Sequence, residues 1–125
     1  MATILIVDDN ANILKILGDA LERAGHEVWR ATDGEVGLRE FRRLRPQLVV
    51  TDLIMPNREG LELIMALNRE TPSPKIIAIS GGGELTPELY LPVAAKIGAN
   101  AILKKPFPPS VLLEMIDRVL DEKTG

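Results

Sequence analysis

The stretch MATILIVDDN (1–10) holds the pattern on which the fold prediction rests. TILIV (3–7) is a short run rich in apolar, β-branched residues, which is typical of a strand buried on both faces. Two adjacent carboxylates, Asp8 and Asp9, follow this run directly. Like charges this close repel each other, so the pair is either a solvated turn or half of a site that binds a cation.

The same alternation of strand and helix recurs along the rest of the chain. Further strands are predicted at HEVWRA (26–31), QLVVTD (47–52), KIIAIS (75–80) and AILKK (101–105). Helices are predicted at 10–25, 33–44, 60–70, 88–98 and 108–123. Pro92 interrupts the pattern at 88–98, so we expect that helix to begin near Leu91, after a long loop at 81–90.

Five strand–helix units predict a single α/β domain that covers residues 1–125. Continuous apolar strands that alternate with amphipathic helices indicate a parallel sheet covered on both faces. Five units suit an open doubly wound sheet and are too few for an eight-stranded barrel. The expected architecture is therefore flavodoxin-like, (βα)5, with strand order 2-1-3-4-5.

The composition narrows the class of function. Apolar residues make up 46% and charged residues 26% of the chain, as in folded globular proteins. The net charge of −3 and the aromatic content of 3% give no argument for binding nucleic acid or a membrane. The chain has no cysteine, no apolar stretch near the ~20 residues of a membrane span, and no signal-peptide pattern. We therefore expect a cytoplasmic protein without disulfides.

Polar side chains follow the carboxyl ends of four of the predicted strands. Ligands of open α/β sheets bind outside these ends, so the side chains should meet at one edge: Asp8, Asp9, Asp52, Ser80 and Lys105. Each has a simpler explanation alone, because an Asp after a strand is often a turn or cap residue and a lone Lys is usually solvated. The prediction of a site depends on their convergence.

Three carboxylates, a hydroxyl and an ammonium suit phosphoryl transfer. Clustered carboxylates need a compensating charge, and oxygen ligands favour Mg²⁺. A carboxylate can attack phosphorus to form an acyl phosphate, while a metal and a lysine stabilise charge on the transferring group. The new phosphoryl group carries about −1.5 to −2 charge, enough to reposition nearby donors.

Four motifs at these strand ends resemble those of a known family: VDD (7–9), TDLIMPNREG (51–60), SGGG (80–83) and KKPF (104–107). From about Thr3 to Leu120 the chain resembles a response regulator receiver domain of the CheY-like superfamily. The resemblance implies a switch more than an enzyme. It would take a phosphoryl group from the phosphohistidine of a sensor histidine kinase or phosphotransfer protein, and lose it by slow autodephosphorylation.

The resemblance also implies a role for each acidic residue. Asp52 is the expected phospho-acceptor. Mg²⁺ is the expected cofactor, held by Asp8, Asp9, Asp52 and the backbone carbonyl of Ile54. Asp9 is expected to bind the ion directly, and Asp8 partly through water.

The remaining motif residues are expected to respond to phosphorylation. Ser80 would bind the phosphoryl group, and Lys105 would pair first with the acidic cluster and then with that group. The Lys105–Pro106 bond is expected to be cis. The family's switch position falls on Ile102, where many members carry Tyr or Phe, so the usual output coupling is open.

The resemblance also implies binding partners. The kinase is expected to dock on the first helix near Asn12 and Lys15, with the loop after Pro106, although a solvated helix face explains these residues equally well. A downstream output domain or protein is possible.

Other functions stay open. A Mg²⁺-dependent phosphohydrolase would carry Asp-x-Asp after the first strand, whereas Asn10 follows Asp8 and Asp9 here. A flavin protein would need a phosphate-cradling first loop, which the two carboxylates oppose. A receiver-like interaction module that works without phosphorylation is the alternative that Ile102 keeps open.

Overall fold

The computed structural model describes residues 2–53, 60–80, 96 and 98–121. Within these residues the elements are β1 (Thr3–Val7), α1 (Ala11–Arg23), β2 (Glu27–Ala31), α2 (Gly34–Leu44), β3 (Leu48–Asp52), α3 (Gly60–Asn68), β4 (Lys75–Ser80), β5 (Ala101–Lys104) and α4 (Pro109–Asp121). Their order confirms the predicted alternation. The helix predicted at 88–98 falls almost wholly outside the described residues and stays a prediction.

The strands form one parallel sheet in the order β2-β1-β3-β4-β5, which confirms the flavodoxin-like topology. Val7 of β1 lies in register with Thr51 of β3, so these two strands end side by side. Ser80, the last residue of β4, lies in register with Lys104 of β5. The register therefore brings the polar strand ends to one edge of the sheet.

Both faces of the sheet are buried, and this is why the strands are continuous apolar runs. Ile4 and Ile6 of β1 join the core cluster beneath α1 and α4, while Leu5 and Val7 join the cluster beneath α2 and α3. All four are inaccessible to solvent, and burying each side chain contributes about 1.5–3 kcal/mol. Helices on both sides of β1 fix where that strand ends.

Two side chains fix the starts of α1 and α2. The Asn10 side chain accepts hydrogen bonds from the backbone N–H groups of Asn12 (2.9 Å) and Ile13 (3.2 Å). Asp33 accepts one from the N–H of Val36 (2.8 Å). These caps satisfy N–H groups that a helix start leaves unpaired. The predicted helix at 10–25 is shorter in the structure, because Asn10 is the cap and Gly25 has the left-handed φ of +95° that follows a helix end.

No helix among residues 2–53, 60–80 and 98–121 is long and apolar enough to cross a membrane. The cytoplasmic location stays a prediction.

Arg30 of the edge strand β2 lies against the middle of α1. Its Nε donates a hydrogen bond to the carbonyl of Leu14 (3.2 Å), and its Nη2 pairs with Glu22 (2.7 Å) and Asp19 (3.3 Å). The guanidinium occupies the space over Gly18, since a Cβ there would lie 2.5 Å from Arg30 Cζ. Glycine at position 18 therefore lowers helix propensity, but it lets the Arg30 guanidinium approach α1 closely.

Gly18→Ala and Arg30→Ala should be non-additive in stability. In the Arg30→Ala background, Gly18→Ala should raise the free energy of unfolding by about 1 kcal/mol, the difference in helix propensity. With Arg30 present, the new methyl displaces the guanidinium and the gain should be smaller. Urea unfolding of the four proteins measures this difference. Equal effects of Gly18→Ala in both backgrounds would contradict the packing of Arg30 on the helix.

Candidate functional site

The structure brings the predicted acidic residues together. Asp8 and Asp9 follow β1, and Asp52 ends the neighbouring β3. One carboxylate oxygen from each of the three lies within 4.8 Å of the others. Ile54 lies outside the described residues, so the role of its carbonyl stays a prediction.

A single ammonium bridges two of these carboxylates. Lys105 Nζ lies 2.9 Å from Asp52 Oδ2 and 3.2 Å from Asp8 Oδ2. The backbone N–H of Lys105 donates to the carbonyl of Ser80 (2.8 Å), which holds the residue just beyond β5. The Lys105–Pro106 bond is cis, as predicted. The lysine therefore pairs with the acidic cluster in the way the sequence indicated.

Asp8 is the most buried acid of the site and has no exposed surface. Its Oδ1 accepts a hydrogen bond from the backbone N–H of Asn10 (2.9 Å). Burial raises the pKa of Asp8 above its usual 3.8. The Asn10 hydrogen bond and the charge of Lys105 lower it, the charge of Asp52 raises it, and the net shift is upward. Ionisation of Asp8 therefore costs more free energy in the folded protein than in the unfolded chain.

Lys105 responds to the same charges in the opposite sense. Burial lowers the pKa of Lys105, but the hydrogen bond to Asp52 and the charges of Asp52 and Asp8 outweigh it, so the pKa lies above the usual 10.5. The ammonium is held in its charged form, yet Asp8 still ionises with difficulty. The contact with Lys105 therefore does not offset the effect of burial on Asp8.

The donor set fits a hard divalent cation such as Mg²⁺. The side-chain ligands that the described residues offer in this cluster are carboxylate oxygens, which Mg²⁺ prefers. Mg²⁺ needs only one or two of them because it retains water. Asp9 is exposed, which leaves the cluster open to solvent on one side. A second positive charge there would oppose the burial and the charge of Asp52 that raise the pKa of Asp8.

Ser80 carries a polar atom that its surroundings leave unsatisfied. The residue is 1% exposed, and its Oγ atom has no hydrogen-bond partner among the residues that the structure describes. A buried hydroxyl without a partner is costly, so native structures seldom keep one without a use. Ser80 ends β4, next to the strand that carries Asp52, so this donor belongs to the same edge of the sheet.

Two contacts at Asp52 were not predicted from the sequence. The buried Thr51 hydroxyl donates to the carbonyl oxygen of Asp52 (3.0 Å). The backbone N–H of Gly60, the first residue of α3, donates to the carbonyl of Leu53 (3.0 Å). Threonine is common in strands and glycine is common in loops, so neither residue stands out from composition or periodicity alone.

An apolar groove of about 230 Å³ lies beside the acidic cluster. It is formed by Ile13, Ile16 and Leu17 of α1, by Pro106, Phe107 and Pro109 after β5, and by Lys105. Ile16 is 57% exposed there, an unusual position for a large apolar side chain. The groove lies next to the predicted docking region on α1, where Lys15 pairs with Asp19 (3.1 Å), and docking of a kinase there stays a prediction.

Asp8→Asn should stabilise the protein in metal-free buffer at pH 7, by about 0.5–2 kcal/mol, because it removes a buried charge that the folded state disfavours. The folded pKa of Asp8 lies above 3.8, so the wild type has this cost at pH values above the folded pKa. As the pH falls through that pKa, Asp8 binds its proton and the difference should vanish. Urea unfolding of both proteins at pH 7 and pH 4 tests this, and destabilisation at pH 7 would contradict it.

Comparison with known proteins connects this geometry to a family. The family described as "Response regulator receiver domain" matches residues 4–117. The chain is 34% identical over 117 residues to chemotaxis protein CheY of Thermotoga maritima, covering 93% of this chain and 95% of that protein. It is 34% identical to the DNA-binding transcriptional regulator NtrC of Azospirillum brasilense, covering 98% of this chain and 25% of NtrC. It spans about half, 46%, of the transcriptional regulator ycf27 of Pyropia yezoensis.

Solved structures of receiver domain proteins have the same fold as this chain. Chemotaxis response regulator CheY4 of Vibrio cholerae superposes with a TM-score of 0.86 at 31% identity, covering 95% of this chain and 98% of that one. A CheY-like receiver domain protein of Methanospirillum hungatei superposes with a TM-score of 0.87 at 33% identity, covering 97% and 94%. The chain therefore belongs to the response regulator receiver domain family and has the CheY-like fold.

Proposed function

We propose that this domain takes a phosphoryl group onto Asp52, with Mg²⁺, from a phosphohistidine of a sensor histidine kinase or phosphotransfer protein. Receiver domains of response regulators are phospho-acceptor switches rather than enzymes in the usual sense, and they bind Mg²⁺ at an acidic pocket. The observation that carries the proposal is the bridge from Lys105 to Asp52 and Asp8 within the carboxylate cluster.

Asp52 is better suited to attack phosphorus than its neighbours. Asp8 is fully buried, and both of its carboxylate oxygens already have partners: Oδ1 accepts from the Asn10 N–H and Oδ2 pairs with Lys105. Asp9 is exposed beyond the end of β1. Asp52 ends a central strand, and Lys105 contacts one of its carboxylate oxygens. In the transfer, an Asp52 oxygen forms a bond to phosphorus and the bond from phosphorus to the histidine nitrogen breaks. The nitrogen keeps the electron pair, and a proton carried by the other ring nitrogen leaves the departing imidazole neutral.

Charge balance in this step depends on the groups around Asp52. Mg²⁺, held by Asp8, Asp9, Asp52 and the Ile54 carbonyl, would neutralise charge on the phosphoryl oxygens. The Lys105 ammonium, now shared between two carboxylates, would pair with the phosphoryl group. The Ser80 hydroxyl, which has no hydrogen-bond partner among the described residues, would donate a hydrogen bond to it.

The output of the switch would be a change in a protein-interaction surface, read by a downstream domain or protein. Moving a population from 1:99 to 99:1 needs about 5.5 kcal/mol of differential stabilisation. Ile102 lies in register with Ala78 and packs against the cluster beneath α2 and α3. It offers neither a ring nor a hydroxyl, so a receiver-like module that works without phosphorylation is the second candidate.

Incubation with Mg²⁺ and acetyl phosphate, followed by intact mass measurement, tests the phospho-acceptor role. We expect one acid-stable, base-labile phosphoryl group on the wild type, because acetate can leave as the phosphorus–oxygen bond of the donor breaks. Asp52→Asn should abolish the label, and Asp19→Asn, an exposed carboxylate on α1, should retain it.

Two other results would change the assignment. An unlabelled wild type, with acetyl phosphate and with a panel of phosphorylated kinases, would favour the module that works without phosphorylation. Turnover of small phosphate esters that survives Asp52→Asn would favour a phosphohydrolase.

The apolar groove formed by α1 and the segment after β5 is the proposed docking surface for the phosphohistidine partner. Lys105 lines this groove and also contacts Asp52, so a partner seated in the groove would have its histidine beside the phospho-acceptor. The apolar walls and the exposed Ile16 offer area for hydrophobic burial, which drives most protein association. The groove shares helix α1 and the segment after Pro106 with the docking region predicted from the sequence, although neither Asn12 nor Lys15 lines it.

Ile16→Ser should slow transfer from a phosphorylated histidine kinase by about tenfold, since burial of one large apolar side chain contributes about 1.5–3 kcal/mol. Met65→Ser is the matched control, because Met65 is similarly exposed, at 44%, but lies on α3 away from the groove. Labelling by acetyl phosphate reports whether the site itself is intact in both variants. Equal slowing by the two substitutions would count against the groove.

A further inference from the structure

The main chain at Asp52 is held by two residues to which the proposed function gives no role. The Thr51 hydroxyl donates to the Asp52 carbonyl oxygen at 3.0 Å. Gly60 packs so closely that a Cβ there would overlap this same oxygen and lie 2.8 Å from Asp52 C and 2.7 Å from Leu53 Cα. Both residues therefore contact the peptide unit that carries the phospho-acceptor.

The contact at Gly60 cannot be relieved by moving a side chain, because all three atoms belong to the backbone. Leu53 is fixed on both sides, since its N–H donates to the carbonyl of Ile79 (3.0 Å) and its carbonyl accepts from Gly60 (3.0 Å). Any side chain at position 60 would have to push α3 away from β3 or rotate the Asp52–Leu53 peptide. Either movement displaces Asp52.

The hydroxyl at Thr51 is not explained by packing. Thr51 is fully buried and lies in register between Val7 and Ala78, both of which belong to the apolar cluster beneath α2 and α3. Valine has nearly the same shape and would avoid the cost of burying a hydroxyl there. The bond to the Asp52 carbonyl is what the hydroxyl adds.

The carboxylate of Asp52 is sensitive to such movements. Only one methylene separates it from the main chain, so a rotation of the peptide is passed on to the oxygens that contact Lys105 and adjoin Asp8. Phosphoryl transfer depends on in-line placement, and an error of about 1 Å can cost about 100-fold in rate.

We propose that Thr51 and Gly60 are positioning residues, which hold the Asp52 peptide so that its carboxylate is placed for phosphoryl transfer. The proposal rests on the proposed function of Asp52. It concerns the geometry of the acceptor and not the stability of the fold.

Comparison of Thr51→Val with Thr51→Ser separates a role of the Thr51 hydroxyl in acceptor geometry from a role in fold stability. Thr51→Val keeps the shape and loses the donor, so it should lower the rate of labelling by acetyl phosphate about three- to tenfold while leaving stability to urea unchanged or higher. Thr51→Ser keeps the donor and should label within about twofold of wild type. A rate that follows stability, or equal slowing by both variants, would overturn the role of the hydroxyl.

Gly60→Ala should slow labelling by about 100-fold and weaken Mg²⁺ binding measured by calorimetry. The control is Gly25→Ala, which strains a left-handed residue (φ +95°) with no atom near its Cβ, so it should lose stability and keep both properties. If Gly60→Ala does not fold, the labelling rates of Thr51→Val and Thr51→Ser test the proposal without it. If Thr51→Val and folded Gly60→Ala label as fast as the wild type, Thr51 and Gly60 are not positioning residues, and the proposed function of Asp52 is unaffected. If the wild type itself is not labelled, both the positioning role and the proposed function are wrong.

Discussion

The site depends on one electrostatic constraint: among the described residues, the sheet brings three carboxylates together with one ammonium. Lys105 bridges Asp8 and Asp52, yet the pKa of Asp8 stays above its usual value, because burial and the charge of Asp52 act together. The folded state therefore holds an unbalanced negative charge at its open edge. A protein that keeps such a charge gives up stability for a site that attracts a cation.

The parallel topology explains why this cluster exists at all. Adjacent parallel strands end at the same edge, and the register of Val7 with Thr51 sets Asp8 beside Asp52 without any long loop. Burial on both faces fixes that register, since a slip of one residue would exchange the two core clusters. The core thus specifies the distance between the acidic side chains as well as the fold.

The sequence predicts the elements and the acidic site better than it predicts the contacts around them. Apolar strands and the polar residues at their ends are local patterns, so the sheet order and the convergence of these residues at one edge could be anticipated. The pairing of Lys105 with the cluster was anticipated from the resemblance to receiver domains. The helix starts were less accurate, because a cap such as Asn10 is decided by local backbone geometry. The contact of Gly60 with Asp52 could not be anticipated, since it depends on how separate segments approach in space.

Asn10 gives the domain a link between two surfaces that would otherwise be independent. Its backbone N–H bonds to Asp8 inside the acidic cluster, while its side chain caps the helix that supplies one wall of the groove. A displacement of Asp8 therefore moves the first turn of α1. Linkage of this kind is reciprocal: a partner that binds α1 more tightly in one charge state of the cluster must stabilise that charge state by the same free energy. The same residue would let the partner influence the site as well as read it.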